Sequence, residues 1–584
     1  MDTINSFKGY GKVDPAEEQA YRRKTRRRII IVVVSAVLLV GLIIGVVAGT
    51  VAHKKNKSSG GSGDDATPGS PASVEAMCSV TEYKESCMKS LSPAAAGGKV
   101  KDPLKLFVLS LKMEADSLAE LASRPAGWMN GTKDKNLRQA FEVCRDVFDD
   151  AVQRLNDSIA SMEVHGVDGK ILSSARIADL KTWLSAAITD QETCLDALEE
   201  IKANATVVDN VKGEMKNSTE FASNSLAIVT HIISFLGNLH IPIHRKLLTA
   251  NQHSDGFPGW VKPGDRRLLQ AENPTPDVVV DKNGSPGSVK TIKEAVDKIP
   301  PKSTSRFVIY VMAGEYKEKL ELDKSKWNVM MYGDGMGKTI ITGSDNYIDK
   351  TATFKTATFT VVGQGFIARD ITFQNTAGAE KHQAVAMRSG SDQSVFYHCS
   401  FDGYQDTLYA HSNRQFYREC HITGTIDFIF GSASVVFQGC KIQPRQPLPN
   451  QYNTITAQGK TEPNLSSGIS IQKCDISPLG EVTVPTYLGR PWKPYSTTVI
   501  MQSSIGSLLK PQGWIEWFPN VTPPATIFYA EYMNTGAGAG VDQRVKWDGY
   551  HPSITSDQAS KFTVQSFIDG DQWLSGKVIY ELTL

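Results

Sequence analysis

The spacing of apolar residues divides the chain into two long regions with different periods. Between residues 74 and 239, apolar side chains recur at three- and four-residue intervals, the period of amphipathic helices. Four segments carry this pattern, at 103–122, 136–160, 171–204 and 207–236. Because their connections are short, we expect an all-α, antiparallel four-helix bundle over residues 74–239.

The second region, residues 271–584, has short runs rich in Val, Ile, Phe and Thr between Gly, Asn and Asp turns. One three-residue pattern occurs six times. The third residues of the six copies are Phe373, Phe401, Ile422, Ile442, Ile476 and Ile505. Successive members are 28, 21, 20, 34 and 29 residues apart. A unit of about 20 residues with loops inserted at some turns is typical of a β-solenoid. We therefore expect an all-β, right-handed parallel β-helix.

A third pattern precedes both regions. Residues 29–52 form an uncharged apolar run of 24 residues directly after a basic cluster at 22–28. A helix of that length spans about 36 Å, enough to cross a bilayer. Since positive charge favours the cytosolic side, we expect a cytosolic segment at 1–28, a signal anchor at 29–52 and a lumenal remainder. A cleaved signal peptide is the alternative, and in both cases most of the chain is exported.

The rest of the composition agrees with export. The 63 basic and 62 acidic residues nearly balance, which argues against a nucleic-acid-binding protein. The eight cysteines form no Cys-x-x-Cys pair and no Cys/His cluster with zinc spacing, so disulfides are favoured over a metal site. Residues 53–73 are rich in Gly, Ser and Pro and predict a flexible tether. Glycosylation sequons begin at Asn130, Asn156, Asn204, Asn217, Asn464 and Asn520.

The cysteines fall into two groups of four. In the helical half, Cys78 and Cys87 are nine residues apart and suit a local bridge, whereas Cys144 and Cys194 lie in two long helices that a bridge would join. In the β half, the repeat places all four in one column. Its members are Cys399, Cys420, Cys440 and Cys474. Cys420 and Cys440 are one uninterrupted coil apart, so we expect them to form a disulfide, with the other two buried as small apolar residues.

The segment between the halves, residues 240–270, contains two dibasic motifs. Arg245-Lys246 and Arg266-Arg267 are each followed by Leu-Leu in a polar stretch with Pro and Gly. Exposed linkers of this kind are accessible to proteases, so both motifs are candidate cleavage sites.

Two aspartates mark the candidate chemistry. Asp406 lies in Gly-Tyr-Gln-Asp-Thr-Leu and Asp427 in Gly-Thr-Ile-Asp-Phe-Ile-Phe-Gly, 21 residues later. Either aspartate alone is more typical of a turn residue. A separation of one coil, however, stacks the two carboxylates side by side. Adjacent carboxylates do not both ionise cheaply, so one of them should have a raised pKa.

These two motifs belong to an ordered set of five. The other three are Gly-Glu-Tyr-Lys-Glu at 314–318, His-Gln-Ala-Val-Ala-Met-Arg at 382–388 and Leu-Gly-Arg-Pro-Trp at 488–492. The set resembles the plant pectin methylesterases, with Tyr404 and Met387 standing where many members have Phe and Leu. The helical half resembles the pectin methylesterase inhibitor family, whose four cysteines pair first to second and third to fourth. The dibasic motifs resemble the processing sites of the precursors of these enzymes.

The resemblance implies a role for each residue in the set. Asp427 would be the nucleophile that attacks the methyl-ester carbonyl. Asp406 would protonate the departing methanol and then act as the base for water. Arg490 would orient the Asp427 carboxylate. Gln383 and Gln405 would stabilise the oxyanion.

The resemblance also implies substrate contacts and partners. Trp492 would stack on a sugar ring, and Thr353, Gln383 and Arg490 would make further contacts to the substrate. The expected substrate is methylesterified homogalacturonan, the expected partners are a secretory-pathway protease and separate inhibitor proteins, and the expected destination of the mature enzyme is the plant cell wall. The helical half would inhibit the enzyme until it is removed. We expect neither a cofactor nor a metal.

Two other interpretations of the sequence remain open. The first is another β-helix pectin enzyme, although a lyase needs calcium-binding acids with a basic catalyst and an inverting glycosidase needs more widely spaced carboxylates. The second is a catalytically inactive inhibitor or interaction protein, which would be expected to lack one of the aspartates or the arginine. No Gly-x-Ser-x-Gly motif is present, so esterase activity would not depend on a serine nucleophile of that kind.

Overall fold

The structure is a computed structural model that describes residues 71–96, 103–166, 174–238, 274–574, 578 and 580–584. The predicted membrane span at 29–52 and both dibasic motifs lie outside these ranges, as does nearly all of the predicted tether. Among the helices of the described ranges, none has the length and hydropathy needed to cross a bilayer.

The first half is helical, as predicted. Its helices are α1 (Pro71–Cys78), α2 (Lys84–Ala96), α3 (Pro103–Ala122), α4 (Arg124–Asn130), α5 (Lys135–Gly166), α6 (Ser174–Glu200) and α7 (Ala205–Asn238). The four predicted segments correspond to α3, α5, α6 and α7. Helices α6 and α7 are separate because Asn204 begins a new helix: its side chain accepts the backbone N–H of Thr206 at 2.9 Å.

Both disulfides predicted for the helical half are present. Cys78–Cys87 joins α1 to α2, and Cys144–Cys194 joins α5 to α6. All four cysteines are buried in the apolar core that the long helices share. The bridge between α5 and α6 closes a loop of 50 residues, and a loop of that size contributes about 4 kcal/mol in chain-entropy terms.

The second half consists mainly of short strands. They are β1 (Val278–Val280), β2 (Phe307–Val311), β3 (Gly314–Lys317), β4 (Leu320–Leu322), β5 (Val329–Tyr332), β6 (Thr339–Gly343), β7 (Phe359–Val361), β8 (Ile367–Arg369), β9 (Thr372–Asn375), β10 (Met387–Ser389), β11 (Ser394–Tyr397), β12 (Ser400–Asp402), β13 (Leu408–Ala410), β14 (Arg414–Arg418), β15 (His421–Gly424), β16 (Ile429–Gly431), β17 (Ser434–Gln438), β18 (Lys441–Pro444), β19 (Asn453–Gln458), β20 (Gly468–Gln472), β21 (Asp475–Ile476), β22 (Thr486–Pro491), β23 (Thr497–Met501), β24 (Ser504–Ile505), β25 (Phe528–Tyr532) and β26 (Tyr550–His551).

These strands form three parallel sheets in which every third strand along the chain becomes a neighbour, except at the ends of the largest sheet, where β1 pairs with β2, β23 with β25 and β25 with β26. The predicted repeat is the register of one sheet: Phe373, Phe401, Ile422, Ile442, Ile476 and Ile505 pair in that order through β9, β12, β15, β18, β21 and β24. All six side chains are buried in a single continuous core. The prediction of a parallel β-helix is therefore confirmed.

The predicted Cys420–Cys440 disulfide is wrong for this structure. The four cysteines do form a buried column, but all four are free thiols. In-register parallel strands point neighbouring Cα–Cβ bonds in the same direction, whereas a bridge needs them to converge. Each thiol contacts backbone carbonyls, as Cys420 Sγ does with Phe396 O at 3.3 Å and Cys440 Sγ with Tyr417 O at 3.5 Å. The Cys440 thiol also hydrogen-bonds with the thiols of Cys420 and Cys474, without a covalent bond.

Short helices that the apolar pattern did not predict close the β-helix. Helix α8 (Ile292–Asp297) packs at the β1 end, and Thr291 caps it by accepting the N–H of Glu294. Helices α9 (Ser556–Ser560), α10 (Val564–Ile568) and α11 (Gly570–Trp573) follow the last strand. Apolar side chains of α10 and α11 cover the outer face of the largest sheet, where Val395, Phe416 and Val436 would otherwise face water.

Candidate active site

The β-helix register places the two aspartates at equivalent points of adjacent coils. Leu408 pairs with Ile429 between β13 and β16, and each aspartate lies two residues before its strand. The N–H of Asp406 donates to the carbonyl of Ile426 at 3.0 Å, which joins the two turns directly. Both aspartates have positive φ, +62° for Asp406 and +50° for Asp427. The predicted stacking is therefore the geometry observed.

Arg490 holds the Asp427 carboxylate through a forked contact. Its Nη2 donates to Oδ2 at 2.6 Å, while Nε lies 2.9 Å from Oδ1 and 3.1 Å from Oδ2. The guanidinium carbon is 4.3 Å from the centroid of the Trp517 ring, a cation–π contact that fixes the plane of the fork. Burial alone would lower the pKa of Arg490, but the Asp427 carboxylate raises it, so the guanidinium remains charged.

Asp406 is in a different electrostatic environment. Burial, followed by the nearby carboxylates of Asp427 and Glu200, raises the pKa of Asp406 well above its usual range, and Arg490 opposes the shift. A raised pKa favours the protonated form of a carboxyl group, which is the form that is able to donate a proton. The site thus pairs a carboxyl group held by arginine with a second carboxyl group whose pKa is raised.

The two aspartates line a cleft of about 290 Å³. All seven residues that the sequence motifs indicated for catalysis or substrate contact lie on its walls: Thr353, Gln383, Gln405, Asp406, Asp427, Arg490 and Trp492. Among the described residues, neither glutamine side chain has a hydrogen-bonding partner, so their amide N–H groups are available to a ligand. Gln383 precedes β10 and Gln405 precedes β13. These two strands pair with each other, so the glutamines lie on adjacent coils, the second of which also carries Asp406.

Aromatic residues that the motifs did not single out complete the cleft. They are Phe354, Tyr409, Phe430 and Trp517. The Trp492 ring lies 6.3 Å from Phe430 and 6.2 Å from Trp517, centroid to centroid. Phe430 lies within the motif of Asp427, and Phe354 directly follows Thr353, so both could have been found from the sequence. Trp517 lies in a later loop and had no such signal.

The helical half reaches into the same cleft. Thr193, Asp196, Ala197, Glu199 and Glu200, at the C-terminal end of α6, form its remaining wall. The Glu200 carboxylate accepts the backbone N–H of Thr353 at 3.1 Å and also the Thr353 hydroxyl. Burial raises the pKa of Glu200, while these hydrogen bonds act in the opposite direction. A glutamate of the helical bundle therefore hydrogen-bonds with Thr353, a residue that the sequence predicts to contact the substrate.

Further polar contacts fasten the bundle beside the cleft. Lys493, directly after Trp492, forms ion pairs with Asp196 and Glu192. Farther along α6, Asp179 pairs with Arg414 at 2.7 Å, and Thr193 Oγ1 lies 2.9 Å from Nε2 of His411. Apolar cleft residues such as Phe354 and Tyr409 belong to the same buried cluster as the bundle core.

Comparison with known proteins gives a consistent result over the whole chain. The profile of the pectinesterase family matches residues 277–571, and that of plant invertase/pectin methylesterase inhibitors matches residues 72–228. "Pectinesterase 3" of Phaseolus vulgaris is 56% identical over 99% of both chains, and "Pectinesterase 1" of Arabidopsis thaliana is 54% identical over 98% of both.

A solved structure matches one half of the chain. "Pectin methylesterase from Carrot" is 50% identical with a TM-score of 0.52, and the match covers 54% of this chain and 100% of the carrot chain. The carrot chain has no counterpart of the remaining 46%. The solved carrot chain therefore corresponds to about half of this chain.

Proposed function

This chain belongs to the pectinesterase family, whose activity is the hydrolysis of pectin methyl esters, and we propose that Asp427 and Asp406 perform that reaction as nucleophile and general acid–base. The proposal depends mainly on one observation: a carboxylate held by Arg490 is stacked against a carboxylic acid whose pKa is raised. The substrate is methylesterified homogalacturonan, and the products are de-esterified pectate and methanol.

In the first half-reaction, an oxygen of Asp427 attacks the ester carbonyl carbon. The resulting oxyanion receives N–H groups from Gln383 and Gln405. The carbon–methoxy bond then breaks, and Asp406 gives its proton to the methoxy oxygen, so that methanol leaves and an acyl-enzyme anhydride remains on Asp427. Arg490 holds the attacking carboxylate in a fixed plane through its forked contact.

In the second half-reaction, Asp406 is ionised and takes a proton from a water molecule as that water attacks the acyl carbon. Breakdown of the intermediate frees the galacturonic acid group, which carries the second proton of the water and loses it to solvent to give the carboxylate, and both aspartates return to their starting protonation states. Thr353 and the aromatic wall around Trp492 position the neighbouring sugar rings. The mechanism consumes one water and requires no cofactor.

Methanol release by residues 270–584, with Asp427→Asn and Asp406→Asn variants, tests this assignment. Asp427→Asn should abolish turnover and acyl-enzyme formation, because an amide is a very poor nucleophile. Asp406→Asn should lose about 10²–10⁴-fold in turnover yet still bind oligogalacturonide. Asp402→Asn is a matched control, since Asp402 pairs with Arg445 at 2.8 Å outside the cleft. Near-normal turnover by Asp427→Asn would require a different nucleophile.

The helical half is proposed to inhibit the enzyme in the precursor. The end of α6 forms one wall of the cleft, and the Glu200 carboxylate accepts hydrogen bonds from the N–H and the hydroxyl of Thr353. A pectin chain and α6 therefore compete for the same surface. After the helical half is removed, the exposed surface becomes available to separate inhibitor proteins with a similar bundle.

Processing and location follow from the N-terminal half of the sequence. Residues 29–52 are proposed to anchor the precursor in a secretory-pathway membrane, and cleavage at Arg245-Lys246 or Arg266-Arg267 is proposed to release the catalytic half, residues 271–584, into the cell wall. Sequencing the N-terminus of the wall-extracted enzyme tests these boundaries. A mature protein that still contains α6 would contradict the proposed release.

A further inference from the structure

The backbone N–H of each aspartate donates to the coil that follows it, but the two acceptors are of different kinds. At Asp406 the acceptor is a main-chain carbonyl, that of Ile426. At Asp427 the backbone N–H instead donates to a side chain, the Oγ1 of Thr454, at 2.9 Å. Thr454 occupies the equivalent point of its own coil, because it lies two residues before Thr456, the register partner of Ile429. A side-chain hydroxyl thus replaces a carbonyl at the nucleophile.

The hydroxyl offers something that a carbonyl does not: a proton. Thr454 Oγ1 lies 2.6 Å from Oδ1 of Asp427, a distance typical of an O–H donor and a carboxylate. Since the hydroxyl already accepts the N–H of Asp427, its single proton is free for that carboxylate. The Thr454 side chain is fully buried, so water does not compete for either bond, and its branched Cβ restricts rotation.

Thr454 and Arg490 hold the Asp427 carboxylate from two separate strands. Oδ1 accepts hydrogen bonds from the Thr454 hydroxyl and from Arg490 Nε, while Oδ2 accepts one from Arg490 Nη2. Arg490 is a long side chain that contacts the carboxylate of Asp427 but not its backbone. Thr454 has a short side chain on β19, and it fixes both the backbone and the carboxylate of the same residue.

We infer that Thr454 is a positioning residue for the pectinesterase reaction, holding the Asp427 carboxylate in the orientation for attack through a hydroxyl that joins its N–H and its Oδ1. The inference rests on the proposed role of Asp427. Misplacement of a reacting group by about 1 Å costs on the order of 10²-fold in rate, so loss of this hydroxyl should affect kcat much more than KM.

The experiment uses residues 270–584, which is about the extent of the chain that matches the solved carrot structure. Thr454→Val, Thr454→Ala and Thr454→Ser are compared by kcat, KM for methylated pectin and Tm. Thr456→Val is the matched control: Thr456 is equally buried on the same strand, and its hydroxyl donates to the carbonyl of Leu488 at 2.9 Å, outside the cleft.

We expect Thr454→Val and Thr454→Ala to lose about 10- to 100-fold in kcat with KM changed less than about threefold, whereas Thr454→Ser keeps kcat within about threefold. Thr456→Val should lower Tm with little effect on kcat. If Thr454→Val does not fold, the Ala and Ser variants decide, because they differ by a single hydroxyl. Equal kcat in these two, or a loss in Thr454→Val no larger than in Thr456→Val, would overturn the inference.

Two results separate the positioning role of Thr454 from the nucleophile assignment. If Asp427→Asn is inactive while Thr454→Val is fully active, only the positioning role is wrong. If Asp427→Asn retains turnover, the nucleophile assignment itself is wrong, whatever Thr454 does.

Discussion

Glu200 is the contact through which the helical half is proposed to block the substrate-binding surface, and its substitution by glutamine should activate the uncleaved precursor. The carboxylate accepts both the N–H and the hydroxyl of Thr353, so an amide of the same shape loses the charge of the acceptor and one acceptor oxygen. Glu200 is the last residue of α6, and a change there leaves the bundle core intact.

The magnitude follows from two opposing contributions. Hydrogen bonds to a charged group are worth about 1.5–3 kcal/mol each, but burial of Glu200, which raises its pKa, offsets part of that gain. A net loss of about 1.4–2.8 kcal/mol in docking is then expected for Glu200→Gln, which corresponds to a 10- to 100-fold change. Because the docked state is inactive, the residual activity of the precursor should rise by the same factor.

The assay requires a precursor that stays uncleaved. Substituting alanine at both dibasic motifs keeps the halves covalently joined, and methanol release is normalised to that of residues 270–584. Glu199→Gln is the matched control, since Glu199 is the adjacent residue, is exposed, and has neither an ion pair nor a hydrogen bond to the β half within the described residues. Equal activity of the Glu200→Gln and Glu199→Gln precursors would refute this account of inhibition.

Three further outcomes are expected. Arg490→Lys should lower kcat at least tenfold in residues 270–584 with Tm nearly unchanged, because lysine keeps the charge but not the fork on Asp427; unchanged kcat would contradict the orienting role. Burial raises the pKa of Asp196 to about 6, against about 3.9 when exposed, so docking takes up a proton and should tighten as pH falls from about 6 to 4. The ratio of precursor activity to fragment activity should therefore fall over that window. Asp196→Asn should reduce this pH dependence, and the part that remains is expected from Glu200, whose pKa burial also raises. Alkylation of the denatured, unreduced protein should label Cys420 and Cys440 and spare the four cysteines of the helical half, and a Cys420–Cys440 peptide would contradict the column of thiols.

The parts of the fold that the sequence predicted are those governed by short-range periodicity. Stacking repeats one inward position per coil, so the column from Phe373 to Ile505 is visible in the sequence as a regular spacing. Asp406 and Asp427 were placed together for the same reason, since a separation of 21 residues equals one coil. The long helices likewise followed from their apolar period.

The parts that the sequence did not predict depend on direction and on distant contacts. The repeat correctly places Cys420 and Cys440 next to each other. Whether two neighbouring cysteines form a disulfide depends on the directions of their Cα–Cβ bonds, which the spacing of residues in the sequence does not reveal. Thr454 was hidden because a longer coil places it 27 residues after Asp427 rather than 21. Glu200 and Thr353 are 153 residues apart and polar, so no apolar pattern marked their contact.

The position of the site within the stack follows from its backbone requirements. Asp406 and Asp427 both have positive φ, which costs a residue other than glycine on the order of 1 kcal/mol. Each is held there by an acceptor from the following coil, so each of these two turns needs a coil stacked after it. Strands β13 and β16 meet this condition because their sheet continues through β19 to β22, and β22 also carries Arg490. At the end of the stack the strained turn would lack its acceptor, and Asp427 would lack its arginine. The same rigidity serves inhibition, because α6 docks against a cleft whose backbone is already fixed.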